Sequence, residues 1–127
     1  MTNSGHDLPH PITNHLRDAA DHIRLANHAT HGDYREVTDL YDTFGALSTA
    51  LKGLPQLVAH LHRILDRADA SLYETDNGNS AAETLNTAEL ATDEAFSKIT
   101  TASNAIDDAW SAIGRLRIHD PHATDPA

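Results

Sequence analysis

Residues 72–85 read Leu-Tyr-Glu-Thr-Asp-Asn-Gly-Asn-Ser-Ala-Ala-Glu-Thr-Leu, and this stretch decides the topology. Asp76 followed by the Asn77-Gly78 pair is the strongest turn signal in the chain: an Asx side chain caps its own backbone, and glycine accepts a positive φ without steric cost. Two residues later, Ser80 and Glu83 have the spacing of a capping box, in which the serine oxygen takes an orphan amide of the first helical turn. A tight turn followed directly by a helix start predicts that a second helix runs back antiparallel to whatever precedes it.

Both flanks carry helical periodicity. Downstream, Leu85, Ala88, Thr92, Ala95, Ile99, Ala102, Ile106, Ala109, Ile113 and Leu116 alternate steps of three and four, a heptad stripe over about 80–118. Upstream, Val37, Leu40, Phe44, Leu47 and Leu51 do the same, and after Gly53-Leu54-Pro55 the stripe resumes as Leu54, Val58, Leu61, Leu65, Ala68 and Leu72. Pro55 lacks an amide donor and disfavours a helical residue before it, so a kink is expected at 53–55 within a segment of about 34–75. At 1.5 Å per residue the two flanks have matching lengths of about 58 Å. An antiparallel hairpin in this register brings 53–55 opposite residues near 101, where Thr100-Thr101-Ala102-Ser103-Asn104 is small or weakly helix-forming and suits close approach.

A further helix is predicted over about 11–30, with Pro11 in the first turn, where its missing amide costs nothing, and His31-Gly32 as the stop. Its stripe is Ile12, Leu16, Ala19, Ala20, Ile23 and Ala26. Residues 1–10 and 120–127 have no periodicity and read as flexible tails. The expectation is one all-α domain over 1–127, bundle- or coiled-coil-like. In it the first helix folds back onto 34–52 and the C-terminal half of the last helix, with Tyr34, Tyr41 and Trp110 as its docking surface. Near the Asn77 turn only two helices are then present. Leu57, Ile64 and Phe96 would be left uncovered there as an interaction surface.

Composition narrows the function. Nine Lys and Arg against 19 Asp and Glu give a formal charge of -10, which opposes direct binding to nucleic acid, since that affinity rests on cations displacing counterions. There is no cysteine, so neither a disulfide frame nor thiolate chemistry is available. No leader-like start and no apolar run of membrane-spanning length is seen, so a cytoplasmic location without membrane contact is expected. The ten histidines do not converge at helical spacing: His60 and His62 point to different faces, His15 and His22 are two turns apart, His6 and His10 sit in a proline-flanked tail, and His28 with His31 flanks a helix end. The carboxylate pairs Asp66/Asp69, Asp93/Glu94 and Asp107/Asp108 fall mostly outside the apolar stripes and read as solvated faces. With no nucleophile motif and no phosphate-binding loop, the expectation is no enzyme, no catalytic residue, no cofactor and no metal.

The stretch from Leu51 to Leu61, with Leu54-Pro55-Gln56 ahead of an apolar helix and an Ala-rich helix after Ser80, resembles small helical proteins encoded by actinobacteria such as streptomycetes, often on plasmids and integrative elements. That resemblance spans residues 37–116 and brings no established activity with it. The chain also invites comparison with the helical hairpins exported by type VII secretion, but it has no Trp-x-Gly in its turn and no tyrosine after Leu116 for their export signal. Taken together, the residues predict a non-enzymatic protein–protein interaction or scaffolding module acting through helix packing, as a homodimer or with another helical protein. The alternative is an accessory factor of a mobile element's DNA maintenance or transfer machinery that works through a protein partner.

Overall fold

A computed structural model describes residues 10–29 and 37–117. These are helical, with three α-helices and no strand among them: α1 is Pro11–Ala29, α2 is Val37–Asp66 and α3 is Ala81–Ile113. The chain separates into two compact units, Met1–Arg35 and Glu36–Ala127.

In the first unit, α1 starts where the proline predicts. The ring Nδ1 of His10 accepts a hydrogen bond from the Ile12 amide at 3.0 Å, and the His10 carbonyl accepts from Asn14 at 3.2 Å, so His10 acts as the cap and Pro11 is the first helical residue. No α1 residue is buried. Arg24 pairs with Asp21 at 3.0 Å one turn away, on a surface where such a pair contributes little.

The second unit is the antiparallel hairpin. α2 is helical straight through Gly53, Leu54 and Pro55, so these residues lie inside one helix and form no loop between two. It ends at Asp66, short of the expected 75. Apolar periodicity continues through Ala68 and Leu72, but the Asp69 carboxylate accepts from the Ser71 amide at 3.0 Å and the Ser71 hydroxyl at 2.7 Å, which starts a single 3-10 turn at Ala70–Leu72. The competing side-chain acceptor wins because it satisfies the amides without another helical turn. Those same bonds hold the Asp69 carboxyl below the usual range, the Ser71 hydroxyl contributing most.

The turn forms as its residues dictate. Gly78 has φ of 81°, the Asn77 side chain accepts from the Asn79 amide at 3.1 Å, and the Thr75 hydroxyl donates to the Asn79 carbonyl. Ser80 caps α3, its hydroxyl oxygen accepting from the Glu83 amide at 3.1 Å. α3 stops at Ile113 with Gly114 as its cap, earlier than the expected 118. Glycine is the weakest helix former after proline, and the bonds beyond it tighten to i→i+3 spacing, Arg115 to Ala112 and Leu116 to Ile113. Threonines within α3 turn their hydroxyls back on the preceding turn, among them Thr92 to the Ala88 carbonyl at 2.6 Å and Thr100 to Phe96 at 2.8 Å. These bonds give the hydroxyls acceptors within the helix itself.

Candidate functional site

The line along which α2 and α3 meet is polar and small, with one aromatic cluster. Gly45 lies under the Trp110 indole so closely that a Cβ built on it would come within 2.9 Å of Cζ2. The Ser48 hydroxyl donates to the Asp107 carboxylate, and Lys52 reaches the same carboxylate at 3.4 Å. Nearer the turn, His62 approaches Asp93 at 3.3 Å, an ion pair when the imidazole is protonated. Each step forward along α2 is matched by an equal step back along α3, which is the register expected from the turn. Among the described residues, Ser48 and Ser103 are the buried side chains, and no apolar side chain is fully buried.

Trp110 anchors the open end. The Tyr41 ring meets it edge-on, with centroids 5.5 Å apart and planes at 85°, the arrangement favoured by the aromatic quadrupole. The Lys52 ammonium stands 6.0 Å from the indole centroid, at the outer limit of a cation–π contact. The indole Nε1 is buried without a hydrogen-bond partner, a cost the cluster carries in exchange for seating the ring on Gly45. Asp107 is held below the usual carboxylate range, chiefly by the hydrogen bond from Ser48, with burial opposing and Lys52 assisting.

This contact line has a consequence for the apolar stripes. On α2 it runs through Tyr41, Gly45, Ser48, Lys52 and His62, and on α3 through Asp93, Ser103, Asp107, Trp110 and Gly114. Both series have heptad spacing, and each lies one residue after the stripe read from the sequence: Leu40, Phe44, Leu47, Leu51, Leu54, Val58 and Leu61 on α2, and Thr92, Ala95, Ile99, Ala102, Ile106, Ala109 and Ile113 on α3. One residue is about 100° of helix rotation. In two antiparallel right-handed helices, the residue before the contact turns to the same side of the pair. The apolar stripes therefore flank the seam and form one continuous face. Toward the turn that face is a groove of about 510 Å³ between Val58, Leu61, Ile64 and Leu65 on α2 and Ala91, Thr92 and Ala95 on α3. Most of the stripe is half-buried; Leu47 is 42% exposed.

The residues expected to form the tip surface do not form one patch. Ile64, 51% exposed, belongs to the apolar groove. Leu57 lies on the outer side of α2 with Gly53, Gln56 and His60. Phe96, 40% exposed, stands beside the His62–Asp93 pair and with Ala59 lines a shallow pocket of about 270 Å³ that is separate from the groove. Of the docking residues, Tyr34 lies outside the described residues, while Tyr41 and Trp110 engage each other. Sequence reasoning missed Gly45, Ser48, Lys52 and Asp107. Their signal was present as small and charged residues at heptad spacing, one position beside a stronger apolar heptad that masked it.

The chemistry of the remaining groups is dispersed. Among the described residues no three His, Asp or Glu side chains gather where a metal ion would fit. The carboxylate pairs are divided between separate partners: Asp69 bonds Ser71, Asp93 meets His62, Glu94 pairs with Lys98 at 2.7 Å and Asp107 belongs to the seam. No described helix is long and apolar enough to cross a membrane. No protein-family model, no curated protein and no solved structure matches the chain. The fold and the face together define an amphipathic helical hairpin with a polar seam.

Proposed function

We propose that this chain is a non-enzymatic protein–protein interaction module that works by packing the apolar face of its hairpin against another helical surface. One observation carries the reading. The apolar heptads of α2 and α3 lie on the same side of the seam as one continuous face, half-buried between the helices and open to solvent at Leu47 and Ile64. A hairpin that needed those side chains only for its own closure would turn them toward the seam. Here the seam is made by Ser48, Ser103, Gly45 and a carboxylate instead. A contiguous apolar face of this extent marks an association site, and its rows of Leu, Ile and Ala are the side chains by which helices pack into one another.

Affinity purification from the cells that produce the protein tests this, comparing the natural chain with a variant carrying Leu54→Lys and Leu61→Lys. The expected result is a co-purifying protein, another copy of the chain included, held by the natural face and lost from the variant. Equal recovery of the same proteins with both would refute the reading.

A further inference from the structure

We propose that a second copy of this chain is what covers the face, in a two-fold pairing that sets α2 of one copy over α3 of the other with both turns at the same end. The proposal rests on the interaction reading above and names its partner.

Three observations lead to it. The first is area. The face runs the length of α2, whose 30 residues make about 45 Å. Two helices with axes 8–10 Å apart present a surface about 18 Å wide. The product is roughly 800 Å² per partner, the half-share of a standard stable interface. The second is burial. With no apolar side chain fully buried in the described chain, the hairpin gains its missing core by stacking on an equivalent face.

The third is the distribution of side-chain size, which selects the orientation. The α2 stripe is large throughout: Leu40, Phe44, Leu47, Leu51, Leu54, Val58, Leu61 and Leu65. The α3 stripe alternates large and small, with Ala95, Ala102 and Ala109 between Ile99, Ile106 and Ile113. In the hairpin register, Leu47, Leu54 and Leu61 stand level with Ala109, Ala102 and Ala95. A two-fold axis parallel to the helices preserves those levels, so each leucine of one copy meets an alanine of the other, and large fills small as packing requires. An axis across the helices would instead set the bulky α2 stripe on itself and the α3 stripe on itself, with unequal spacing along the two sides. Exposed carboxylates at neighbouring turns oppose the arrangement weakly, because charges more than about 8 Å apart are largely screened at physiological salt.

The test uses the full chain. Sedimentation equilibrium from about 1 to 300 μM should give twice the 13.8 kDa of the chain. Because the chain has no cysteine, a single Asp76→Cys at the exposed turn accepts one spin label, and the label-to-label distance should centre near 20–35 Å. Turns at opposite ends would give more than about 45 Å, the length of the hairpin, and would overturn the orientation. Leu54→Lys should weaken self-association at least about 30-fold, the loss typical of a residue at an interface centre, whereas Ser97→Lys, on the outer side of α3, should not. An unaltered dimer with Leu54→Lys would overturn the face. The mass and distance readings leave the face unmutated, so they hold whether or not that variant folds. A monomer at 300 μM overturns the second copy. Dye binding then separates the readings: a monomer that takes up 8-anilinonaphthalene-1-sulfonate keeps an open face for a different helical protein, and one that excludes it has no open face and removes the interaction reading as well.

Discussion

Two glycines in α2 offer a matched pair of substitutions that tests the seam directly. Gly45 and Gly53 are both helical, so replacing either by alanine brings the same intrinsic gain, about 0.8–1 kcal/mol of helix propensity. Their surroundings differ. A Cβ at Gly53 meets nothing within 4 Å, so Gly53→Ala should realise the full gain. A Cβ at Gly45 meets three indole atoms of Trp110 at 2.9–3.2 Å, closer than carbon atoms pack. The ring must move off the helix, loosening its edge-on contact with Tyr41, and overpacking of this kind costs about 1–3 kcal/mol. The net effect at Gly45 is between zero and about 2 kcal/mol of destabilisation, and the two variants should differ by at least about 1 kcal/mol. For a unit of this size that is a difference of about 4–8 °C in melting temperature. Circular dichroism at one fixed protein concentration measures it. Trp110 is the single tryptophan, so its emission should shift to longer wavelength in Gly45→Ala and stay unchanged in Gly53→Ala. Equal stabilisation by both substitutions, with no change in emission, would refute the placement of the indole on Gly45 and the seam built around it.

Two further outcomes follow from local chemistry. Ser80→Ala removes the acceptor for the Glu83 amide and should cost about 1 kcal/mol, while Ser80→Gly should cost only a few tenths, as seen in the midpoint of urea unfolding. Asp107 has a folded pKa below its unfolded value, chiefly through the Ser48 hydrogen bond; its contribution is therefore present above the unfolded value near 4 and lost as pH falls through the folded one. The difference in melting temperature between the natural chain and Asp107→Asn should thus be constant from about pH 5 to 7 and shrink below about pH 4. A difference that widens on acidification would refute the assignment.

The features legible in sequence are those set by a few adjacent residues. Asn77-Gly78 specified the turn because a positive φ and an Asx bond are local requirements, and Ser80 specified a helix start for the same reason. The register read from the turn also holds, with Ser48 opposite Asp107 and His62 opposite Asp93, although residues 67–80 separate the two helices. The ends of the helices were less legible: the apolar period runs on past Asp66 and Ile113, and what stops each helix is a single Asp69 carboxylate or Gly114. The side of the helices that forms the seam was not legible. Apolar heptads are read as the line of contact because burial is the dominant driving force. In this chain a parallel heptad of Gly45, Ser48 and Lys52 makes the polar contacts of the seam near Trp110, and the leucines one position before it are half-buried beside that line.

That offset separates two tasks that a simple helical hairpin combines. Closure of the hairpin falls to side chains with directional contacts: Ser48 and Lys52 on Asp107, Trp110 on Gly45, His62 toward Asp93. Pairs of this kind, partly exposed to water, contribute little net stability, but they fix which residue faces which. The apolar face, half-buried within the hairpin, contributes burial, and under the proposed pairing it contributes more when occupied. Anything that binds the folded chain and not the unfolded one raises its stability by mass action. The melting temperature of the natural chain should therefore rise with its own concentration, and a Leu54→Lys chain should retain the seam contacts while losing that dependence. A seam of leucines would have closed the hairpin more tightly and left nothing for a second chain to complete.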